Sequence, residues 1–282
     1  MAYVTTHKHP NGLDYVDIDT PLCHARIFLQ GAQIVEFQPK GQPPLLWCST
    51  ENDYQPGQGI RGGVPICWPW FGQSEQADFP QHGFARNRIW QLDSVDVDSE
   101  LVRLRFSLPR SEHDNKFWPH HSSLSVEFTL GQSLKIDLIN ENLSDNSIKL
   151  TQALHTYLPI GDIHRLKATG FAASQYIEFG EGPVKQQEDA VSFTQETDRV
   201  YTRLSPVQQL HTPDGIICVS RQHSRSAVLW NPWIDKSKRL SCFHDEDYLT
   251  MVCLEAANVL EDRVILPAGA SHTLSTEISW AD

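Results

Sequence analysis

Between Ile60 and Trp90 the chain reads IRGGVPICWPWFGQSEQADFPQHGFARNRIW, and the residue types crowded into it are those of an anion-and-sugar site. Arg61, Arg86 and Arg88 supply guanidinium forks, which match the oxygen geometry of a phosphate. Gly62, Gly63, Gly72 and Gly83 leave backbone that can approach a ligand closely. Trp68, Trp70, Phe71 and Phe84 offer flat apolar faces suited to the C–H side of a sugar ring. The opposing reading is a buried connection whose aromatics are core and whose arginines are solvated. Composition leaves both open.

Proton-transfer chemistry needs other residues, and two stand out downstream. In LTQALHTYLPIGDI, His155 lies among apolar and aromatic neighbours, the setting either of a satisfied structural histidine or of an acid–base catalyst. In YLTMVCLEAANVL, Glu255 directly follows Met251, Val252, Cys253 and Leu254. A carboxylate there is at least partly buried, which is costly unless it is paired or carries a raised pKa, so it is either a structural ion pair or a functional group. The run LWNPWIDKS, with Trp230, Asn231 and Trp233, is a pocket-lining strand end or a surface corner. Metal binding has little to recommend it: His120-His121 and the HDED run from His244 to Asp247 lack a defined zinc spacing. No GxSxG or P-loop sequence is present.

The elements that must position these groups are strands. In LVRLRFSLP, Val102, Leu104, Phe106 and Leu108 fall on one face. SVEFTL and LKIDLI alternate likewise through Val126, Phe128, Leu130 and then Leu134, Ile136, Leu138, and Gly131-Gln132-Ser133 between them predicts a hairpin. HTLSTEISW alternates through Leu274, Thr276, Ile278 and Trp280. No apolar stripe at helical spacing persists over three turns, so helices are expected to be few and short. The pattern predicts an all-β sandwich or barrel, and with no linker, repeat or boundary in sight, a single domain over 1–282.

Bulk properties narrow the partners. A chain of 282 residues, 40% hydrophobic and 21% charged, is ordinary globular composition. Its formal charge of −12 counts against nucleic acid and means that an anionic substrate needs a local positive pocket. Cys23, Cys48, Cys67, Cys218, Cys242 and Cys253 show no CxxC spacing, and several sit in apolar runs as small buried hydrophobes. The N-terminus lacks an apolar h-region, and no segment has the length of a membrane span. A soluble, cytoplasmic protein with no membrane partner, monomeric or weakly oligomeric, is the expectation.

Taken in order, IRGGVPICWPWFG, HGFARNRIW, ALHTYLPIGDI, ETDRVY, LWNPWIDKS and MVCLEAANV resemble the hexose-6-phosphate mutarotases (glucose-6-phosphate 1-epimerases) of the aldose 1-epimerase superfamily. The resemblance runs from about residue 20 to the end of the chain. It implies a large antiparallel β-sandwich of the galactose-mutarotase type, in agreement with the period-two pattern. It implies His155 as general acid and Glu255 as general base, Arg61 and Arg86 holding the sugar phosphate, and Asp198 of ETDRVY hydrogen-bonding the sugar. His82 matches the histidine of HGFAR and is expected to contact ring or hydroxyl oxygens, with Gln81 a weaker polar candidate. Trp68, Phe71 and Trp233 are expected near the pocket, while Arg88 joins the phosphate site or faces solvent.

The implied reaction interconverts α and β anomers by opening and closing the sugar ring. It needs one proton removed from the C1 hydroxyl and one delivered to the ring oxygen, work that a carboxylate and an imidazole perform with neither metal nor organic cofactor. For that, Glu255 is expected to start ionised and His155 protonated. The alternatives are a mutarotase of unphosphorylated aldoses and a non-catalytic sugar-binding sandwich. A glycoside hydrolase would need a second positioned carboxylate beside Glu255.

Overall fold

The computed structural model describes residues 3–99, 101–179 and 182–281. The alternating runs are strands, and their apolar sets point inward. In Val102–Ser107 the side chains of Val102, Leu104 and Phe106 are buried, and Arg103 and Arg105 between them stay partly exposed. Ser122–Leu130 and Leu134–Asn142 form the expected hairpin, paired from Ser122 opposite Asn142 to Leu130 opposite Leu134. These three strands belong to an eight-stranded antiparallel sheet in the order Lys167–Thr169, Val207–Thr212, Gly215–Gln222, Ser271–Trp280, Leu134–Asn142, Ser122–Leu130, Val102–Ser107, Gln91–Val97. One face is apolar and the other polar, the alternation expected of an antiparallel sheet with a solvated side.

A second eight-stranded sheet has central strands buried on both faces. It runs Lys185–Gln186, Gln175–Glu178, Thr197–Thr202, Ser226–Asn231 and Met251–Asn258. Gln152–Leu154 and Tyr157–Pro159 then lie along the same edge of Met251–Asn258, and Ile66–Cys67 pairs with Gln152–Leu154. Val252, Leu254 and Ala256 belong to a large apolar cluster shared with the first sheet, which contributes Leu134, Ile136, Leu138, Leu274 and Ile278. Cys253 and Ala257 face the other way, into a smaller cluster with Tyr157, Val200, Val228 and Trp230. A four-stranded meander from Val4–Lys8 to Gln33–Pro39 adds Val16, Ile18, Ile27, Ile34 and Phe37 to the larger cluster.

Helix is scarce, as the pattern predicts. Among the described residues the α-helix Trp233–Ser237 is accompanied only by short 3-10 turns. The fold is the all-β antiparallel sandwich expected from the sequence.

Candidate active site

The register of the second sheet sets the site. Leu154 pairs with Ala256 and Tyr157 with Cys253, which leaves His155, in the break between two short strands, directly across from Glu255. Residues opposite one another in an antiparallel pair project on the same face. The contact follows: Nε2 of His155 lies 3.5 Å from Oε1 of Glu255. On the far side of the same strand Val228 pairs with Glu255 and Trp230 with Cys253, and one strand further Asp198 pairs with Trp230. Period-two alternation therefore delivers Asp198, Trp230, Val228, Glu255 and His155 to one face, and that face lines a cleft of about 1140 Å³.

The Ile60–Trp90 segment forms much of the remaining wall. The Asn52 carboxamide fixes Arg61, accepting from its amide at 2.7 Å and donating to its carbonyl at 2.8 Å. The guanidinium then reaches the Tyr157 hydroxyl at 3.4 Å, and the Tyr157 ring stacks on His155 with centroids 4.9 Å apart. Arg86 sits in the 3-10 turn Ala85–Asn87 and donates to the Gln81 carbonyl at 2.9 Å. Gly31 permits this: a Cβ there would lie 2.7 Å from the Arg86 carbonyl oxygen. Between the arginines, His82 accepts from the Gly72 amide through Nδ1 at 3.2 Å, which leaves its Nε2 the protonated nitrogen. Its ring stands edge-on to His155 at 5.9 Å and to Phe71 at 4.7 Å.

Every residue singled out for the site lines this one cleft: Arg61, His82, Arg86, His155, Asp198 and Glu255. Gln81 lines it too, and Arg86 uses its backbone carbonyl. The aromatics divide. Trp70 and Phe71 line the cleft, whereas Trp68 and Phe84 are buried in the core, where Trp68 donates to Asn140 at 2.7 Å. Trp233 packs on Tyr248 and His164 instead. Arg88 lies outside the cleft and is partly exposed: Asp114 pairs with it at 2.5 Å and its guanidinium covers the Phe84 ring. Among the described residues no cluster of three or more metal-ligating side chains occurs, and all six cysteines are free thiols.

Sequence reasoning passed over Lys236. It lines the cleft from the helix Trp233–Ser237, 2.8 Å from Glu196 and 3.9 Å from Asp198. Its signal was available in LWNPWIDKS, as the one cation placed just after the aromatic turn. Tyr157, an aromatic neighbour of His155 in the chain, links that ring to Arg61.

Electrostatics depart from the expectation in one respect. Glu255 is 1% exposed, and burial raises its pKa well above the ordinary carboxyl range; Asp198 adds to the rise and Arg86 opposes it. Burial lowers His155 well below the ordinary imidazole value, and its neighbours His82, Arg86 and Arg61 add to that. Burial thus works against both the carboxylate and the imidazolium expected at the start of the reaction, and favours the proton on Glu255 over His155. His82 is held down to about 3, by burial first and then by Arg86 and Arg61. Burial lifts Asp198, with Lys236 pulling against it. Among the described residues neither Arg61 nor Arg86 has a carboxylate partner, and the Nε of each is buried without a hydrogen-bond acceptor. Two unpaired guanidiniums in an otherwise acidic protein are the features of an anion seat.

Residues 14–279 match the family model described as Aldose 1-epimerase. An Escherichia coli K12 protein provisionally named glucose-6-phosphate 1-epimerase is 35% identical over 275 residues, which cover 96% of this chain and 92% of that protein. A protein of the same provisional name from Cenchrus ciliaris is 31% identical over 276 residues, covering 92% of this chain and 83% of its own length. Among solved structures, that of a provisionally named mutarotase from Salmonella typhimurium superposes with a TM-score of 0.93 at 31% identity, covering 100% of this chain and 95% of the other.

Proposed function

The chain belongs to the aldose 1-epimerase family, and from that premise we propose that it interconverts the α and β anomers of D-glucose 6-phosphate and related aldose 6-phosphates. One observation carries the reading: an imidazole and a carboxyl 3.5 Å apart on the floor of a cleft whose wall holds two guanidiniums without carboxylate partners. The unpaired thiols suit a reducing compartment such as the cytoplasm.

In the working state Glu255 is the carboxylate and His155 the imidazolium. Glu255 takes the proton of the C1 hydroxyl, O1 becomes the aldehyde oxygen, the C1–O5 bond breaks, and O5 takes its proton from His155. The open-chain aldehyde turns about C1–C2, and both transfers reverse as O5 attacks the other carbonyl face. At the aldehyde stage the pair is a carboxylic acid and a neutral imidazole, the distribution that burial favours. Arg61 and Arg86 hold the phosphate, while Asp198 and His82 take sugar hydroxyls.

Magnetisation transfer between the anomers of glucose 6-phosphate, followed by NMR, tests this directly. Exchange is expected to exceed that on free glucose, and Arg86→Ala should reduce kcat/KM on the 6-phosphate without lowering exchange on glucose. Faster exchange on the unphosphorylated sugar would transfer the assignment to free aldoses. Binding of the sugar phosphate with no exchange at all would make the chain a sugar-binding sandwich.

A further inference from the structure

Two guanidiniums of the cleft, Arg61 and Arg86, stand close to the acid–base pair and lack counter-charge among the described residues. Arg61 touches the Tyr157 hydroxyl, and Tyr157 stacks on His155. His155 Nδ1 and Glu255 Oε2 are both buried with no partner among the described residues, so the polar contact each makes inside the protein is with the other, across 3.5 Å. Two titratable groups this close in so buried a place are coupled, and the proton balance between them responds to any charge placed beside them. We infer that a dianion seated on Arg61 and Arg86 moves this shared proton from Glu255 to His155, so that the phosphoryl group of the substrate arms the catalytic pair besides anchoring the sugar. This rests on the sugar-phosphate reading and deepens it.

The direction follows from which group feels which charge. His155 faces His82, Arg61, Arg86, Tyr157 and Glu255; Glu255 faces His155, Asp198 and Arg86, with the Cys253 thiol on its own strand. Both guanidiniums oppose a positive imidazole, whereas Arg86 alone favours a negative Glu255. Neutralising the two cations therefore releases two penalties on the imidazolium and withdraws one support from the carboxylate. The balance moves toward the ion pair, the state that starts ring opening. A sugar without the phosphate finds the proton on the wrong partner and turns over slowly even when bound.

The test separates the phosphate from the sugar. D-xylose, an aldopentose without C6, is given to the enzyme with and without phosphite, a tetrahedral dianion, and its anomer exchange is read by NMR after subtracting the enzyme-free rate at the same phosphite concentration. A saturable rise of about tenfold or more is expected, the effect of moving the pair's proton balance by about one pKa unit. The rise should vanish in Arg86→Ala. In isotope-edited infrared spectra of the protein carrying 13C-glutamate, phosphite should remove one protonated-carboxyl C=O band and add a carboxylate band, a change absent from Glu255→Gln. Xylose exchange that phosphite leaves unchanged or slows, in a preparation that exchanges glucose 6-phosphate rapidly, overturns the inference and leaves the proposed function standing. Failure on glucose 6-phosphate itself overturns that function.

Discussion

Glu255 and His155 are held where solvent barely reaches them, and the proton between them has consequences for rate and stability alike. Glu255→Gln and His155→Ala each remove one partner of a two-proton relay, so each should lower exchange on glucose 6-phosphate by about 10²- to 10⁴-fold. Retention of full exchange in both variants would refute the relay. The stability effect runs the other way for Glu255. Its folded pKa is raised, so the unfolded chain ionises above about 4.3 while the folded site holds its proton, and the stability contributed by the protonated carboxyl is lost as pH rises. Glu255→Gln is therefore expected to melt higher than the native protein, by a margin that widens from mildly acidic to alkaline pH. A margin that narrows over that range would count against a protonated Glu255. Such a gain in stability beside a loss of activity is the usual trade at a functional carboxyl.

Strands and turns deliver these groups to the cleft, and turns in the left-handed region do so at little tolerance. Gly83, at φ +74°, bridges to Trp68, and a Cβ there would lie 1.9 Å from the Trp68 carbonyl oxygen. His82 precedes it and Arg86 follows three residues later. Gly83→Ala should destabilise the fold by roughly 2–4 kcal/mol, seen as a lowered denaturation midpoint, and should weaken sugar-phosphate binding by displacing both side chains. A fully stable, fully active variant would show that the turn has room. What could be read in advance follows from range. Val102–Ser107, Ser122–Leu130, Leu134–Asn142 and Ser271–Trp280 are long enough for alternation to declare them, and Ser122–Leu130 and Leu134–Asn142 share a short hairpin turn. Ile66–Cys67, Gln152–Leu154 and Tyr157–Pro159 are too short for a period, and partners distant in sequence fix their register. That register puts His155 opposite Glu255, so the residues were legible from the family resemblance and their apposition was not. Trp68 and Phe84 went to the core because an aromatic-rich loop carries no mark telling which of its rings faces a ligand.

For the molecule as a whole, the buried histidines set the acid limit. His82 is lowered to about 3 from an ordinary 6.5, and His155 is lowered as well. A depressed folded pKa means that stability is complete above about 6.5 and is lost as pH falls, because the unfolded chain takes up protons that the folded one refuses. Denaturation midpoints should decline between about pH 6.5 and pH 4, and His82→Gln should flatten part of that decline; an identical slope in the variant would place the acid sensitivity elsewhere. The strand Met251–Asn258 contributes to robustness in another way. All eight of its residues are buried, and it is paired along both edges. Amides in such a position exchange with solvent hydrogen only when the whole structure opens. The amide of Glu255 is thus expected among the slowest to exchange, and the proposed base has no partly opened form of its own: a molecule that has lost its place in the site has already lost the fold.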